Sequence, residues 1–540
     1  MSQLPSRSQL AVEIHSPAVT AAAQAWVDKL VTEQVASALA HQDPTLWGPQ
    51  AQPEAARRLA WVALPETSRP LLATIEALRT DLRSEGIDRV VLAGMGGSSL
   101  APEVICATAG VPLTVLDTTD PGQVADALAG DLERTVLVVS SKSGSTVETD
   151  SHRRVFAAAF AAAGLDPAAH LVVVTDPGSP LQRIAEAEGY RAVITADPNV
   201  GGRYSALTAF GLVPAGLAGA DIASLLHDAA QQVPLLAADD PANPALRLAA
   251  TLASRHAAGA EKVVLADTGS GILGFADWAE QLIAESTGKE GTGLLPVVVQ
   301  NPAAPGFADA GADATPVAIG PGVAASAVAV SGTLGGQILL WEHAIAVVGR
   351  LLGINPFDQP DVEAAKAAAR AQLTGATGPP PAFVDGDVAV HPVGDWLPAG
   401  VATLRDALWA LVTATPQQGY LAVQAYLDRI ADASAAVLRT ELARRTHLQT
   451  TFGWGPRFLH STGQYHKGGH QNGAFLQITG AIDTDIPVPG AGFTLGELQQ
   501  AQALGDADVL AAHGRPVLRL HLLDRAAGLV ALVHALRELK

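Results

Sequence analysis

The chain has 540 residues, which is enough for several domains and too long for one small module. Hydrophobic residues make up 48% and charged residues 16%, and this excludes a disordered composition. The formal charge of −19 has the wrong sign for a partner such as nucleic acid or an anionic membrane surface. The N-terminus lacks an apolar signal segment, and the single cysteine, Cys106, agrees with a reducing compartment, so we expect a cytoplasmic protein.

The first part of the chain changes from helical spacing to alternating strands and helices. Residues 1–60 are predicted to form an N-terminal helical segment, because Ala and Leu recur at helical spacing from about residue 18. Short apolar runs without alternation then indicate a parallel sheet covered on both faces, at residues 89–96, 113–117, 135–141, 170–176 and 190–197. We therefore predict a doubly wound α/β domain over residues 61–235.

The same rhythm begins again after an Asp- and Pro-rich stretch at residues 239–244. Further apolar runs lie at residues 262–270, 294–300, 315–320 and 327–332, and they predict a second sheet of the same type. Late strands at 474–480 and 517–523 are expected to complete a sheet already begun. Residues 236–540 are thus predicted to be a second domain with a helical insertion and a C-terminal segment.

Two loops at predicted strand ends have the composition of anion-binding loops. The sequence GMGGSSL follows the first strand, from Gly94 to Leu100, although a tight turn without a ligand explains it as well. The sequence SSKSGSTVE, from Ser140 to Glu148, places several hydroxyl groups and Lys142 before a long helix. Such a loop predicts a phosphate site at the positive end of the helix dipole, with simple helix capping as the alternative.

Glu285 is the strongest candidate for a general base. It follows Trp278 by seven positions and Leu282 by three, so it lies on the apolar stripe of its predicted helix. It also lies in the last turn, where the helix dipole disfavours a negative charge and so favours taking up a proton. The alternative is an exposed ion pair between Glu285 and Lys289, four residues further on.

Three other segments contain candidates whose residues alone leave the choice open. Arg203 follows two glycines, and it fits either a site or a surface turn. Gln359 and Lys366 flank a Pro- and Asp-rich turn, where an exposed lysine is the ordinary interpretation. His460, His466 and His470 lie in a Gly-rich loop; their spacing favours acid/base use over a zinc site, which remains the alternative.

Together these motifs resemble the phosphoglucose isomerase family, which is built from two sugar isomerase (SIS) domains. The resemblance rests on GMGGSS, SSKSGST, GGRYS, ESTGK and NPFDQPDVEAAK, in this order between residues 94 and 366. It covers about residues 60–525. HSTGQ resembles the family's histidine loop, but it follows the lysine motif, as in the isomerase half of bifunctional transaldolase/phosphoglucose isomerase proteins. We expect no fused transaldolase domain here.

The resemblance implies a fold and a set of roles. The fold is α/β, with two SIS domains that each contain a doubly wound, mainly parallel sheet flanked by helices, and with extra helical segments. The implied catalytic residues are Glu285, His460, Lys366 and Arg203. The implied substrate-binding residues are Gly97, Ser98, Ser141, Lys142, Ser143, Thr146 and Gln359.

The implied reaction interconverts glucose 6-phosphate and fructose 6-phosphate. His460 and Lys366 would open the sugar ring, Glu285 would move a proton between C2 and C1 through a cis-enediol, and Arg203 would stabilise negative charge. Such proton transfers require no metal and no redox cofactor. Other anionic sugars, such as mannose 6-phosphate or sulfoquinovose, and a non-catalytic sugar-phosphate sensor are the alternatives. Relatives are often dimers, so a homodimer is the expected assembly.

Overall fold

The computed structural model describes residues 10–361, 368, 373 and 379–539, and its strands fall into three sheets. In chain order the strands are β1 Ala11–Ile14, β2 Arg89–Gly94, β3 Thr114–Leu116, β4 Thr135–Ser141, β5 Leu171–Thr175, β6 Ala192–Thr195, β7 Lys262–Asp267, β8 Leu295–Val298, β9 Ala314–Ile319, β10 Val328–Ser331, β11 Phe383–Asp385, β12 Val388–Val393, β13 Tyr420–Tyr426, β14 Gln449–Trp454, β15 Gly473–Gly480 and β16 Val517–Leu522.

Helices connect and cover these strands. The α-helices are Pro17–Thr32, Val35–Ala40, Gly48–Ala55, Leu64–Thr67, Leu71–Ser84, Leu100–Ala109, Pro121–Leu128, Val147–Ala162, Pro167–His170, Pro180–Ala187, Ala209–Ala218, Ile222–Leu236, Pro244–Ala257, Phe275–Thr287, Leu334–Leu352, Leu404–Ala414, Val437–Thr446, Gly463–Gly468, Leu495–Ala512 and Arg525–Arg537. Short 3₁₀ turns lie at Pro44–Trp47, Ala60–Ala63, Gly96–Ser98, Gly202–Tyr204, Ala433–Ala436 and Arg457–His460. Within the described ranges, no helix has both the length and the hydropathy needed to cross a membrane.

The first sheet has the strand order β3-β2-β4-β5-β6, and all its pairs are parallel. Successive side chains of a strand point to opposite faces. In β4, Val136 and Val138 join one hydrophobic core, whereas Leu137 and Val139 join another. Both faces of the sheet are therefore buried, which explains the uninterrupted apolar runs in its strands.

The second sheet has the order β1-β10-β9-β7-β8. Its pairs are parallel except for β1, which runs antiparallel to β10. The strands predicted near residues 262–332 are confirmed, as are those of the first sheet. The strand β1 was not predicted, because residues 1–60 were expected to contribute only helices.

The late strands correct one expectation. They complete neither earlier sheet; instead they form a third sheet with the order β11-β12-β16-β15-β13-β14. The strands β13 to β16 pair in parallel, and β11 and β12 add an antiparallel edge. Apolar patterning identifies a strand but not its hydrogen-bonding partner, and this explains the error. The α/β fold with mainly parallel sheets is confirmed, while the domain boundaries at residues 60 and 235 stay predictions.

Candidate active site

One cavity of about 760 Å³ brings the predicted site residues together. It lies where the loops after β2 and β4 leave the carboxyl edge of the first sheet, the usual ligand position in an open α/β sheet. The predicted residues that line it are Gly97, Ser98, Ser141, Lys142, Ser143, Thr146, Arg203, Glu285, Gln359 and His460. Lys366 lies outside the described residues.

Glu285 is buried at the end of its helix and is paired with Arg203. The helix Phe275–Thr287 has Gly288 as its C-cap, so Glu285 lies in its last turn, as the sequence predicts. Arg203 Nε lies 3.1 Å from Glu285 Oε2, and the two side chains are only 2% and 8% exposed. The alternative ion pair with Lys289 is wrong, since the Lys289 ammonium lies 2.7 Å from Asp358 Oδ1 instead. The inward-facing carboxylate that the sequence predicts is therefore present.

The segment that carries Gln359 is tied to this pair. Arg203 donates hydrogen bonds from Nη1 to the Pro356 carbonyl at 3.1 Å and from Nη2 to Gln359 Oε1. Lys289 Nζ donates to the carbonyls of Asn355 at 2.7 Å and Asp358 at 2.6 Å. Burial and the nearby Arg203 charge lower the pKa of Lys289 to about 8. The buried cations of Arg203 and Lys289 therefore hold the loop of residues 355–359 beside the cavity.

The hydroxyl-rich loop after β4 forms one end of the cavity. Ser141 Oγ and Thr146 Oγ1 lie 3.0 Å apart, and Ser145 Oγ lies 3.1 Å from Ser143 Oγ. Thr146 is the N-cap of the helix Val147–Ala162, yet its side chain makes no capping hydrogen bond. Helix capping therefore does not account for these hydroxyl groups. They remain suited to an anion at the positive end of the helix dipole.

Lys142 adds a cation to that loop. Its ammonium lies 2.6 Å from Asp176 Oδ2, and both residues line the cavity. Burial lowers the pKa of Lys142, although the Asp176 carboxylate opposes this shift. Burial likewise raises the pKa of Asp176. The pair places one positive and one negative group beside the hydroxyl cluster.

His460 reaches the cavity within its own chain. Its Nε2 lies 3.1 Å from Glu148 Oε1, which also accepts a hydrogen bond from Gln502 Nε2 at 2.7 Å. Its carbonyl accepts a hydrogen bond from Gln281 Nε2 at 2.9 Å. His460 is thus contacted by groups on the helices Val147–Ala162 and Phe275–Thr287, and Gln502 on the helix Leu495–Ala512 holds its partner Glu148. A carboxylate partner of this kind orients an imidazole for proton transfer.

The other two histidines of the loop lie elsewhere. His466 is buried, with its ring stacked on Tyr420 and its Nδ1 3.1 Å from the Tyr420 hydroxyl. His470 Nδ1 lies 2.8 Å from Glu261 Oε2. The three rings therefore have three different partners. Among the described residues, no group of three or more His, Cys, Asp or Glu side chains is arranged to hold a metal ion.

Several cavity residues were not predicted. Glu148, Gln281 and Gln502 surround His460, but their segments carry no composition signal that separates them from ordinary helix residues. Lys467 also lines the cavity and is paired with Asp506, with both side chains buried. Arg58 comes from the predicted N-terminal helical segment.

The loop that contains Gly96 and Gly97 touches the loop that contains Gly202 and Arg203, and the two backbones meet at Gly97. A Cβ built on Gly97 would lie 1.9 Å from the Gly202 carbonyl oxygen, which real structures do not tolerate. The same loop passes close to the histidine segment, because a Cβ on Gly96 would lie 2.9 Å from the His460 carbonyl oxygen. Glycine is therefore required for these loops to approach each other.

We expect Gly97→Ala to lower the free energy of unfolding by about 1–3 kcal/mol, because the methyl group forces two packed loops apart. Gly202→Ala is the matched control, since a Cβ at Gly202 meets no atom within 4 Å. Urea denaturation followed by tryptophan fluorescence measures both variants. Equal stability of the two variants would contradict the close approach.

Glu280 is a buried acid beside the histidine loop. Its Oε1 accepts a hydrogen bond from Ser461 Oγ at 3.3 Å, next to His460. Burial and the neighbouring Asp277 charge raise the pKa of Glu280 from 4.5 to about 8. The folded protein therefore keeps a proton on Glu280 between these two pH values, whereas the unfolded chain releases it.

Because the folded-state pKa of Glu280 is raised, its contribution to stability is lost as the pH rises from about 4.5 to about 8. The free energy of unfolding of the original protein should fall by up to about 1.4 kcal/mol per pH unit over this range because of Glu280. We expect Glu280→Gln to lack this fall. Urea midpoints measured at pH 5, 6, 7 and 8 for both proteins test the effect. A pH dependence that is the same in the variant and the original protein would exclude a proton on Glu280.

Comparison with known proteins shows what this chain is similar to. Residues 77–315 match the model of the family described as phosphoglucose isomerase. The glucose-6-phosphate isomerase of Thermosynechococcus vestitus is 35% identical over 350 residues, which cover 52% of this chain and 65% of that protein. The glucose-6-phosphate isomerase of a Cyanothece species is 30% identical, over 53% of this chain and 65% of that protein. The chain thus spans just under two thirds of the length of these curated relatives.

Solved structures agree on the fold. A hypothetical protein from Thermus thermophilus matches with a TM-score of 0.58 and 26% identity, over 68% of this chain and all of that chain. A glucose-6-phosphate isomerase from Chlamydia trachomatis matches with a TM-score of 0.54 and 19% identity, over 67% of this chain and 88% of that chain. Residues 77–315 of this chain are thus similar to the phosphoglucose isomerase family, and the two solved structures share the fold of the chain.

Proposed function

We propose that this chain catalyses the reversible isomerisation of glucose 6-phosphate and fructose 6-phosphate. One observation carries the proposal: the buried Glu285–Arg203 pair and the hydroxyl loop of Ser141 to Thr146 line the same cavity. The loop supplies donors for a phosphate group, and the carboxylate supplies a base at a distance from it. The curated relatives of this chain that are named glucose-6-phosphate isomerase support the same reaction.

In the proposed mechanism the phosphate group fixes the sugar. The hydroxyls of Ser141, Ser143 and Thr146, with Lys142, hold it at one end of the cavity. Binding energy from this remote group orients the reacting carbons near Glu285. His460, held by Glu148, exchanges a proton with the sugar during ring opening. The resemblance to the phosphoglucose isomerase family implies that Lys366 takes part in the same step.

Glu285 then carries out the proton transfer. Its carboxylate takes the proton from C2 of the open aldose, and the C1 carbonyl oxygen gains a proton, so that a cis-enediol forms. Glu285 returns its proton to C1 as the C2 hydroxyl loses its own, which leaves the ketose with no net change of atoms or electrons. Arg203 holds the carboxylate at 3.1 Å, and its positive charge stabilises the negative charge that develops on the enediol oxygens.

We expect Glu285→Gln to lower kcat by at least about 10³-fold, because the amide cannot accept the C2 proton. The affinity for substrate should change little, since the hydroxyl loop is untouched. A coupled assay that converts fructose 6-phosphate to glucose 6-phosphate measures kcat, and calorimetry measures binding.

The control is Glu290→Gln, an exposed glutamate shortly after the same helix, which should keep normal activity. Near-normal turnover of purified Glu285→Gln would refute the role of Glu285.

Activity of the unchanged protein that disappears with a chelator would contradict the expectation that no metal is needed. Preferential turnover of mannose 6-phosphate or sulfoquinovose would reassign the substrate, and binding without turnover of any of them would indicate a sensor.

The cavity includes His460, Glu285 and the hydroxyl loop from a single chain, so activity should not depend on assembly. We expect the specific activity to stay constant on dilution from micromolar to low nanomolar enzyme. Activity measured in parallel with light scattering checks this. A homodimer remains our proposal for the assembly, and a loss of activity that follows dissociation would show that the site needs the partner.

The substrate class also bears on partners and location. Sugar phosphates are small anionic metabolites, and we propose that this chain acts on them in the cytoplasm. The formal charge of −19 opposes binding to nucleic acid and to anionic membranes. It also opposes the approach of an anionic substrate, so local cations at the cavity must attract the phosphate.

A further inference from the structure

Arg58 lies at the same end of the cavity as the hydroxyl loop, although it comes from a distant part of the chain. The helix Gly48–Ala55 ends just before it, and both Glu54 and Arg58 line the cavity together with Lys142 and Ser143. The residues of the family motifs account for the other end of the cavity and for the hydroxyl loop. They do not account for Arg58.

The backbone next to Arg58 is fixed against the loop that precedes Gly202 and Arg203. Leu59 forms an isolated antiparallel bridge with Val200, and both side chains are buried. Arg58 Nη1 donates a hydrogen bond to the Pro198 carbonyl at 3.0 Å, and its Nε donates to Glu54 Oε1 at 2.7 Å. The side chain is 28% exposed. Arg58 is therefore held in place before any ligand arrives.

Arg58 and Lys142 converge on one acceptor. Lys142 Nζ lies 3.5 Å from the same Pro198 carbonyl oxygen that Arg58 contacts. The Arg58 charge also contributes to the lowered pKa of Lys142, after burial, and this agrees with the closeness of the two cations. Each cation has its own carboxylate, Asp176 for Lys142 and Glu54 for Arg58. Because each cation has a carboxylate partner, Lys142 and Arg58 can lie close together when no phosphate group is bound.

The donors of Arg58 are not all used. A guanidinium has five N–H donors, and the described hydrogen bonds of Arg58 start from Nε and Nη1. Within the described residues, Nη2 has no acceptor. The Nη2 group therefore keeps two N–H donors, and charged donors of this kind bind the oxygens of a phosphate group.

We propose that Arg58 is a specificity-determining residue that binds the phosphate group of the substrate together with Lys142, so that the N-terminal segment completes the anion site. This inference rests on the proposed function for the identity of the sugar, but the anion chemistry stands apart from it. Two cations favour the dianionic phosphate over a monoanionic sulfonate. A neutral sugar gains nothing from either cation.

The test compares Arg58→Met with Arg57→Met. Arg57 is the matched control because it pairs with the same Glu54, is 68% exposed and does not line the cavity. For Arg58→Met we expect the KM for fructose 6-phosphate to rise by about tenfold, with kcat within about twofold, since charge-assisted hydrogen bonds to phosphate are lost far from the reacting carbons. The inhibition constant of inorganic phosphate should rise by a similar factor. Arg57→Met should change neither constant.

Arg58→Lys separates charge from geometry. It should give values between those of the original protein and Arg58→Met, because it keeps the charge and loses the fork of donors. A rise in KM without a rise in the phosphate inhibition constant would overturn the proposal, since it would show a general disturbance of the site. Equal constants for Arg58→Met and Arg57→Met would overturn it as well.

A binding measurement keeps the inference independent of the proposed reaction. Inorganic phosphate should raise the melting temperature of the original protein and of Arg57→Met, and less so that of Arg58→Met. If the original protein shows no isomerase activity, the proposed function fails, and this melting shift alone decides the role of Arg58. The same phosphate-induced shift in all three proteins would overturn that role.

Discussion

The buried contact between Arg203 and Glu285 is the interaction on which the rest of the site depends. The two Nη groups of Arg203 donate four hydrogen bonds, to the carbonyls of Glu285, Pro356 and Asp358 and to Oε1 of Gln359. Its Nε lies 3.1 Å from Glu285 Oε2 in an ion pair. A lysine has three donors and no planar fork, so it could not replace this arrangement. One side chain thereby fixes the end of a helix, the carboxylate of the proposed base and the loop that carries Gln359.

This arrangement also limits what Arg203 can do in the reaction. Its Nη donors are already engaged, so in the proposed reaction it would act on the substrate through its charge, whereas its hydrogen bonds and its ion pair keep Glu285 in position. A buried ion pair contributes little net stability, because desolvation of both charges offsets their attraction. Its value here is positional: a carboxylate with one oxygen held by Arg203 has a defined direction for its other oxygen.

The sequence predicted the parts of the site that are built from local composition. The strands of the first two sheets are uninterrupted apolar runs, and the loops after β2 and β4 are rich in glycine and hydroxyl groups, so both were recognisable. Glu285 was recognisable because a carboxylate on an apolar stripe is unusual. By contrast, β1 and the third sheet were missed or misplaced, because strand pairing depends on contacts between distant segments. Glu148, Gln281 and Arg58 were missed for the same reason: each matters only through a neighbour far away in the sequence.

The third sheet explains how a histidine so late in the chain reaches the cavity. Ion pairs fasten the loops of this sheet to acidic residues of the first sheet's loops and helices. Arg457 lies 2.6 Å from Asp117, Arg429 lies 2.7 Å from Glu103, and Arg525 lies 2.8 Å from Asp120. The 3₁₀ turn that ends at His460 begins at Arg457, so the pair with Asp117 lies three residues from the ring that faces Glu148. His460 therefore reaches the cavity although it lies late in the chain, because these ion pairs hold the third sheet's loops against those of the first sheet.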